Sequence, residues 1–87
     1  MISGGQIRAA RAYARLSAAR LAEMSGVARM TIVKAESVDG DPPLTVTNLR
    51  SIQETLEGIG ITFGADGTVN YRPKTLDPSK STVQPDR

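Results

Sequence analysis

Cations crowd the first 34 residues of this chain. Arg8, Arg11, Arg15, Arg20, Arg29 and Lys34 stand there against Glu23 alone, a local charge of +5. A guanidinium is a planar fork of donors that fits phosphate oxygens or the acceptor edge of a guanine. Residues 35–72 reverse the sign, with Arg50 and Arg72 against Glu36, Asp39, Asp41, Glu54, Glu57 and Asp66, which gives −4. A chain divided in this way can turn its basic end to a polyanion, or can simply carry solvated charged faces. Other chemistry is closed off. The chain has no cysteine and no histidine, which excludes disulfides, zinc-finger sites and the usual nucleophile–base pairs. Serine, threonine and carboxylate side chains remain, but no spacing assembles them into a catalytic site. The chain reads as a non-enzyme that needs no cofactor and no metal.

Two short helical patterns must position the basic residues. They flank Ser25-Gly26 within SAARLAEMSGVARMTIVKAE, residues 17–36. Ser17 can cap the first helix, and Leu21 with Ala18 and Ala22 gives it a small apolar stripe. Gly26 supplies a turn that requires positive φ. In the second helix Val27, Ile32 and Ala35 face inward, which leaves Arg29, Met30, Val33 and Lys34 on the outward side. The arrangement is that of a helix-turn-helix.

This stretch resembles the phage repressor and Cro-type helix-turn-helix family, whose usual run is S-Q-x-x-L-A-x-x-x-G-V-S-x-x-T-I-x-x-x-E. Ser17, Leu21, Ala22, Gly26, Val27, Thr31, Ile32 and Glu36 match it, and the resemblance extends over about residues 3–63. It implies a compact four-helix domain that lays its second motif helix in the major groove of DNA. It also implies a structural salt bridge between Arg11 and Glu36. Three positions depart from the pattern. Ala18 replaces the glutamine that supports DNA contacts. Ala28 occupies the cap of the second motif helix and has no oxygen to offer its free N–H groups, at a cost of about 1 kcal/mol. Arg15 stands where a glycine commonly ends the first helix, which predicts a differently built turn.

On the outward face, Arg29 is suited to a two-pronged contact with guanine, and Lys34 to guanine or phosphate. Met30 and Val33 fit only apolar features, either a thymine methyl or a protein surface. Thr31 either touches phosphate or lays its methyl against the core edge, and Arg8, Arg15 and Arg20 are phosphate candidates with a solvated helix surface as the alternative.

Residues 3–15 read as helix 1, with Ser3 and Gln6 at capping-box spacing and Ile7, Ala10 and Ala14 on one face. Gly4 and Gly5 weaken its first turn. SVDGDPP, residues 37–43, is a loop. Helix 4 runs over 46–56, capped by Thr45 or Thr47, with Leu49, Ile52, Leu56 and Ile59 inward and an Arg50–Glu54 pair outward. From Ile61 the period becomes that of strands, and ITF, GADG and TVNY read as a β-hairpin over 61–71. A lone hairpin is marginal, so it must pack on helix 4 or pair with a second chain. The reading is therefore a mostly α domain over 1–72 with a C-terminal hairpin, followed by a proline-rich tail, 73–87, expected to be disordered.

An 87-residue chain has little core to spare and would gain from forming a homodimer. No run approaches the roughly 18 apolar residues of a membrane span and no signal-peptide pattern opens the chain, so a cytoplasmic location is expected. The leading expectation is a DNA-binding transcriptional regulator, a repressor or dual-acting switch, on a palindromic double-stranded operator. The alternative keeps the fold and changes the partner: an antiactivator that seizes a transcription activator protein.

Overall fold

Ser3 begins the fold. In the computed structural model, which describes residues 2–73, its hydroxyl accepts from the Gln6 amide at 3.0 Å while the Gln6 Oε1 accepts from the Ser3 amide at 2.9 Å. This reciprocal capping box starts α1, Gly4–Tyr13. Three further helices follow, α2 (Ala18–Ser25), α3 (Arg29–Glu36) and α4 (Val46–Gly58), and then an antiparallel pair, β1 (Ile61–Phe63) and β2 (Val69–Tyr71). The expected four helices and C-terminal hairpin are present. Of the tail expected over 73–87, residues 74–87 lie outside the described residues.

The core is one cluster fed by every helix. Ile7, Leu21, Ile32, Ile52 and Leu56 are its largest fully buried side chains; each is worth about 1.5–3 kcal/mol relative to exposure. Ala10, Val27, Ala35 and Leu49 fill between them, and Ile2 ahead of α1 and Ile61 at the start of β1 join the same cluster. Ile59, expected inward, lies half-buried just past the end of α4.

Local chemistry sets the boundaries. Thr45, not Thr47, caps α4, accepting from the Asn48 amide at 3.1 Å. The helix then runs past Leu56 to Gly58. The expected Arg50–Glu54 ion pair is not formed; Gln53 instead reaches Glu57 at 3.2 Å on that helix. Helix α1 stops at Tyr13, short of the expected residue 15, because Arg15 turns into the left-handed region with φ of 60°. The turn is thus not built differently from a glycine turn. Arg15 adopts the glycine conformation and carries about 1–2 kcal/mol of strain in doing so.

Gly4 is a second correction. Its amide donates to the Gly40 carbonyl at 2.8 Å, and the Gly5 amide to that of Asp39 at 3.2 Å. The loop after α3 thereby supplies acceptors for N–H groups that no turn of α1 can satisfy. A Cβ on Gly4 would collide with the carbonyl oxygens of Ala35 and Val38. The residue that weakens the helix locally is what lets α1 approach the end of α3.

The hairpin pairs Ile61 with Tyr71, Thr62 with Asn70 and Phe63 with Val69. It packs on α4 as expected, and also on α1. There the Gln6 Nε2 donates to the Gly64 and Thr68 carbonyls at 2.9 and 3.2 Å, and Tyr13 meets Tyr71 edge-on with ring centroids 5.8 Å apart. At the turn, the Asp66 carboxylate accepts from the Thr68 hydroxyl at 2.8 Å and from its amide at 3.3 Å. These bonds hold its pKa below the ordinary aspartate value, the hydroxyl bond contributing most.

Two outcomes are expected. In an exposed helix, Gly→Ala stabilises by up to about 1 kcal/mol, but Gly4→Ala should destabilise by about 1–3 kcal/mol in urea unfolding because main-chain atoms must move; a gain would refute the close approach. Because the Asp66 pKa is lowered on folding, its contribution is present above the ordinary carboxylate pKa and lost as pH falls through the depressed one. Thr68 amide exchange should rise over that acid window, and Asp66→Asn should abolish the pH response.

Candidate functional site

The exposed face of α3 carries the residues whose chemistry is left over after folding. Ser17 caps α2 by accepting from the Arg20 amide at 2.9 Å. Gly26 ends that helix with φ of 75°, its amide bound to the Ala22 carbonyl at 2.9 Å. Ser25 stitches the same corner, donating to the Leu21 carbonyl at 2.7 Å and accepting from the Val27 amide at 3.3 Å. Val27 is then buried, and α3 begins at once with Ala28 as an N-cap that offers no side-chain bond. Ile32 and Ala35 anchor α3 from below. Arg29, Met30, Val33 and Lys34 all face solvent, as one-turn neighbours 29/33 and 30/34. Thr31 is half-buried, at the edge between this face and the core.

One ion pair holds α3 in place from α1. The Arg11 Nε and a terminal nitrogen donate to the two Glu36 oxygens at 2.8 and 2.9 Å, and the other terminal nitrogen donates to the Leu16 carbonyl at 2.9 Å. The side chains are 25% and 10% exposed, so the pair is shielded from water and the fork geometry is fully used. The Glu36 hydrogen bond raises the Arg11 pKa above its ordinary value, against the opposing effect of burial.

The basic residues divide into two groups. Arg29, Lys34 and Arg15 are exposed and make no side-chain hydrogen bond or ion pair among the described residues. Arg8 and Arg20 are engaged: Arg8 with the Asp39 carboxylate at 2.7 Å, Arg20 with Glu23 at 3.0 Å on its own helix. The division at residue 34 therefore overstates the basic end. Glu36 and Asp39 are paired into it, and removing two from the +5 of residues 1–34 leaves +3. Between the free cations the face is apolar, with Met30 and Val33 at 55% and 40% exposure. No helix among the described residues is long and apolar enough to cross a membrane.

The Ser25 stitch and the engagement of Arg8 were not anticipated from the sequence. A serine before a helix-ending glycine is a weak signal, and nothing local to Arg8 announces an acceptor 31 residues away.

Arg11→Ala should lower stability by about 3 kcal/mol, since it leaves Glu36 charged, shielded and unpaired. An Arg11→Met, Glu36→Leu double variant should recover most of the loss; a single variant that melts like the parent would show the pair to be dispensable. No known protein family, curated protein or solved structure matches this chain.

Proposed function

We propose that this chain is a DNA-binding transcriptional regulator that reads a double-stranded operator with α3, as a homodimer on a palindromic site. The observation that carries the reading is the α3 face itself: two cations, Arg29 and Lys34, that have no ion-pair partner among the described residues and are exposed on a helix whose opposite side is locked into the core. An α-helix with its side chains is about 10–12 Å across, which the major groove of about 12 Å width admits. In this reading α2 and α3 form a helix-turn-helix. Arg29 donates two bonds to guanine O6 and N7, Lys34 reaches guanine or phosphate, and Met30 and Val33 meet thymine methyl groups. Arg15 and Thr31 border the face and bind phosphates. Arg20 joins them by releasing Glu23, because an ion pair this exposed holds by no more than about 1 kcal/mol. Recognition without cofactor or catalysis fits the residue inventory.

A second reading rests on a specific observation, the exposure of Met30 and Val33 at the centre of the face. Apolar side chains flanked by cations also suit an acidic, amphipathic protein surface, and an antiactivator would use the face to sequester a transcription activator.

The two readings part on whether the folded chain binds DNA. Binding to a duplex from the chain's own upstream region should be specific over a scrambled duplex and should weaken steeply between two salt concentrations. Arg29→Ala should reduce the specific affinity by roughly ten- to a hundredfold. If the folded protein binds neither duplex, the activator-binding reading takes its place.

A further inference from the structure

We infer that Arg8 is a positioning residue for α3, not a phosphate contact: together with Asp39 it clamps the last turn of α3 to α1 and so fixes the attitude of the reading face. The inference rests on the DNA-binding reading and refines it.

The geometry is a stripe along one side of α1. Residues 4, 8 and 11 lie on one helix face, and each engages the end of α3 or the loop behind it. The Gly4 amide binds the Gly40 carbonyl, Arg8 binds Glu36 and Asp39, and Arg11 forks onto the Glu36 carboxylate. Arg8 uses two nitrogens in two directions, one to the Glu36 main-chain carbonyl and one to the Asp39 carboxylate, both at 2.7 Å. The Asp39 pair is 48% and 91% exposed and by itself holds no better than that of Arg20 with Glu23; the bond to the Glu36 carbonyl, which Arg20 does not match among the described residues, is what ties Arg8 to α3. The Glu36 carbonyl is the last of α3 and has no acceptor role within its own helix. A guanidinium there caps the helix from outside and meets the negative end of its dipole. Asp39 is in turn held by its main chain, since its carbonyl accepts from the Gly5 amide at 3.2 Å. Arg8, Asp39 and the start of α1 thus close a ring around the end of α3. Lys34 and Val33 sit in that last turn, so any swing of the turn moves half of the reading face.

A carboxylate beside DNA makes the test decisive, because the two roles predict opposite signs. If Asp39 were only a nearby negative charge, Asp39→Asn would tighten binding to DNA. As half of a clamp, its loss weakens binding. The experiment titrates the full chain, Arg8→Gln, Asp39→Asn and the double variant against the same duplex over a salt series, each protein first shown to be folded. Both single variants should bind roughly three- to tenfold more weakly, with the double variant no worse than either. The slope of log affinity against log salt should not change. Loss of a phosphate contact would instead lower that slope by about 0.9. A lowered slope for Arg8→Gln, or Asp39→Asn binding as well as or better than the parent, would overturn the inference. If the parent itself fails to bind at low salt, the DNA-binding reading fails, and amide exchange on the same four proteins decides the clamp separately. Faster exchange at Gly4, Gly5 and the last turn of α3 in both single variants supports it, and unchanged exchange overturns it.

Discussion

Arg11 joins three parts of the chain with one side chain. Its fork grips Glu36 at the end of α3, its remaining nitrogen grips the Leu16 carbonyl just before α2, and its own backbone lies in α1. Because α2 and α3 are each only eight residues long, neither has the length to be stable alone. Their relative placement therefore comes from the core beneath them and from this charge pair above it. A lysine would not serve, since one ammonium cannot satisfy two carboxylate oxygens and a carbonyl in three fixed directions. The pair is shielded enough for its geometry to matter, and what it fixes is the angle at which the outer face of α3 meets solvent.

Around that pair, α1 behaves as a backbone-binding rail. Gly4 and Gly5 give their amides to the loop behind α3. Gln6, nearly buried at 7% exposure, closes the capping box with its oxygen and holds the hairpin loop with its nitrogen. Both ends of the amide are thus satisfied, which is what makes a buried glutamine tolerable in so small a core. Tyr13 then meets Tyr71 at the other end of the helix. The three-residue strands would be marginal by themselves, and they persist because one helix grips them at both ends.

The parts of the fold legible in the sequence are those encoded by neighbours. Ser3 with Gln6, Ser17 before Leu21, and Leu49, Ile52 and Leu56 are signals within one or two helical turns, and the GADG turn is a signal within four residues, closed by the Gly67 amide on the Gly64 carbonyl at 3.1 Å. The missing cap at Ala28 was equally local. Features set by distant contacts were not legible. Gly4 read as a flaw in a helix because the carbonyls it admits belong to residues 35 and 38. Arg8 read as a free cation because its acceptors lie 28 and 31 positions away. Ile2 carried no periodic signal and is buried at 3% exposure. Arg15 shows the opposite failure: its side chain argued against a left-handed turn, and the packing on either side imposed one. On the candidate site, the outward set Arg29, Met30, Val33 and Lys34 followed from helical period alone, whereas which of the surrounding arginines remain free depended on the tertiary fold.

The bond from Gln6 to the Gly64 carbonyl spans 58 residues, and this bears on the order of assembly. A ribosome releases the N-terminal helix first, yet the side chain that closes its capping box finds its second set of partners only after the hairpin has emerged. Until then α1 has its local cap, but the Gln6 amide nitrogen lacks its acceptors on Gly64 and Thr68 and Ile61 is missing from the core. Closing a loop of that span carries an entropic cost that local helices avoid. The domain is thus built so that its earliest helix is fastened by its latest strands, and a chain cut short before Thr68 would lack the fastening that holds its own beginning in place.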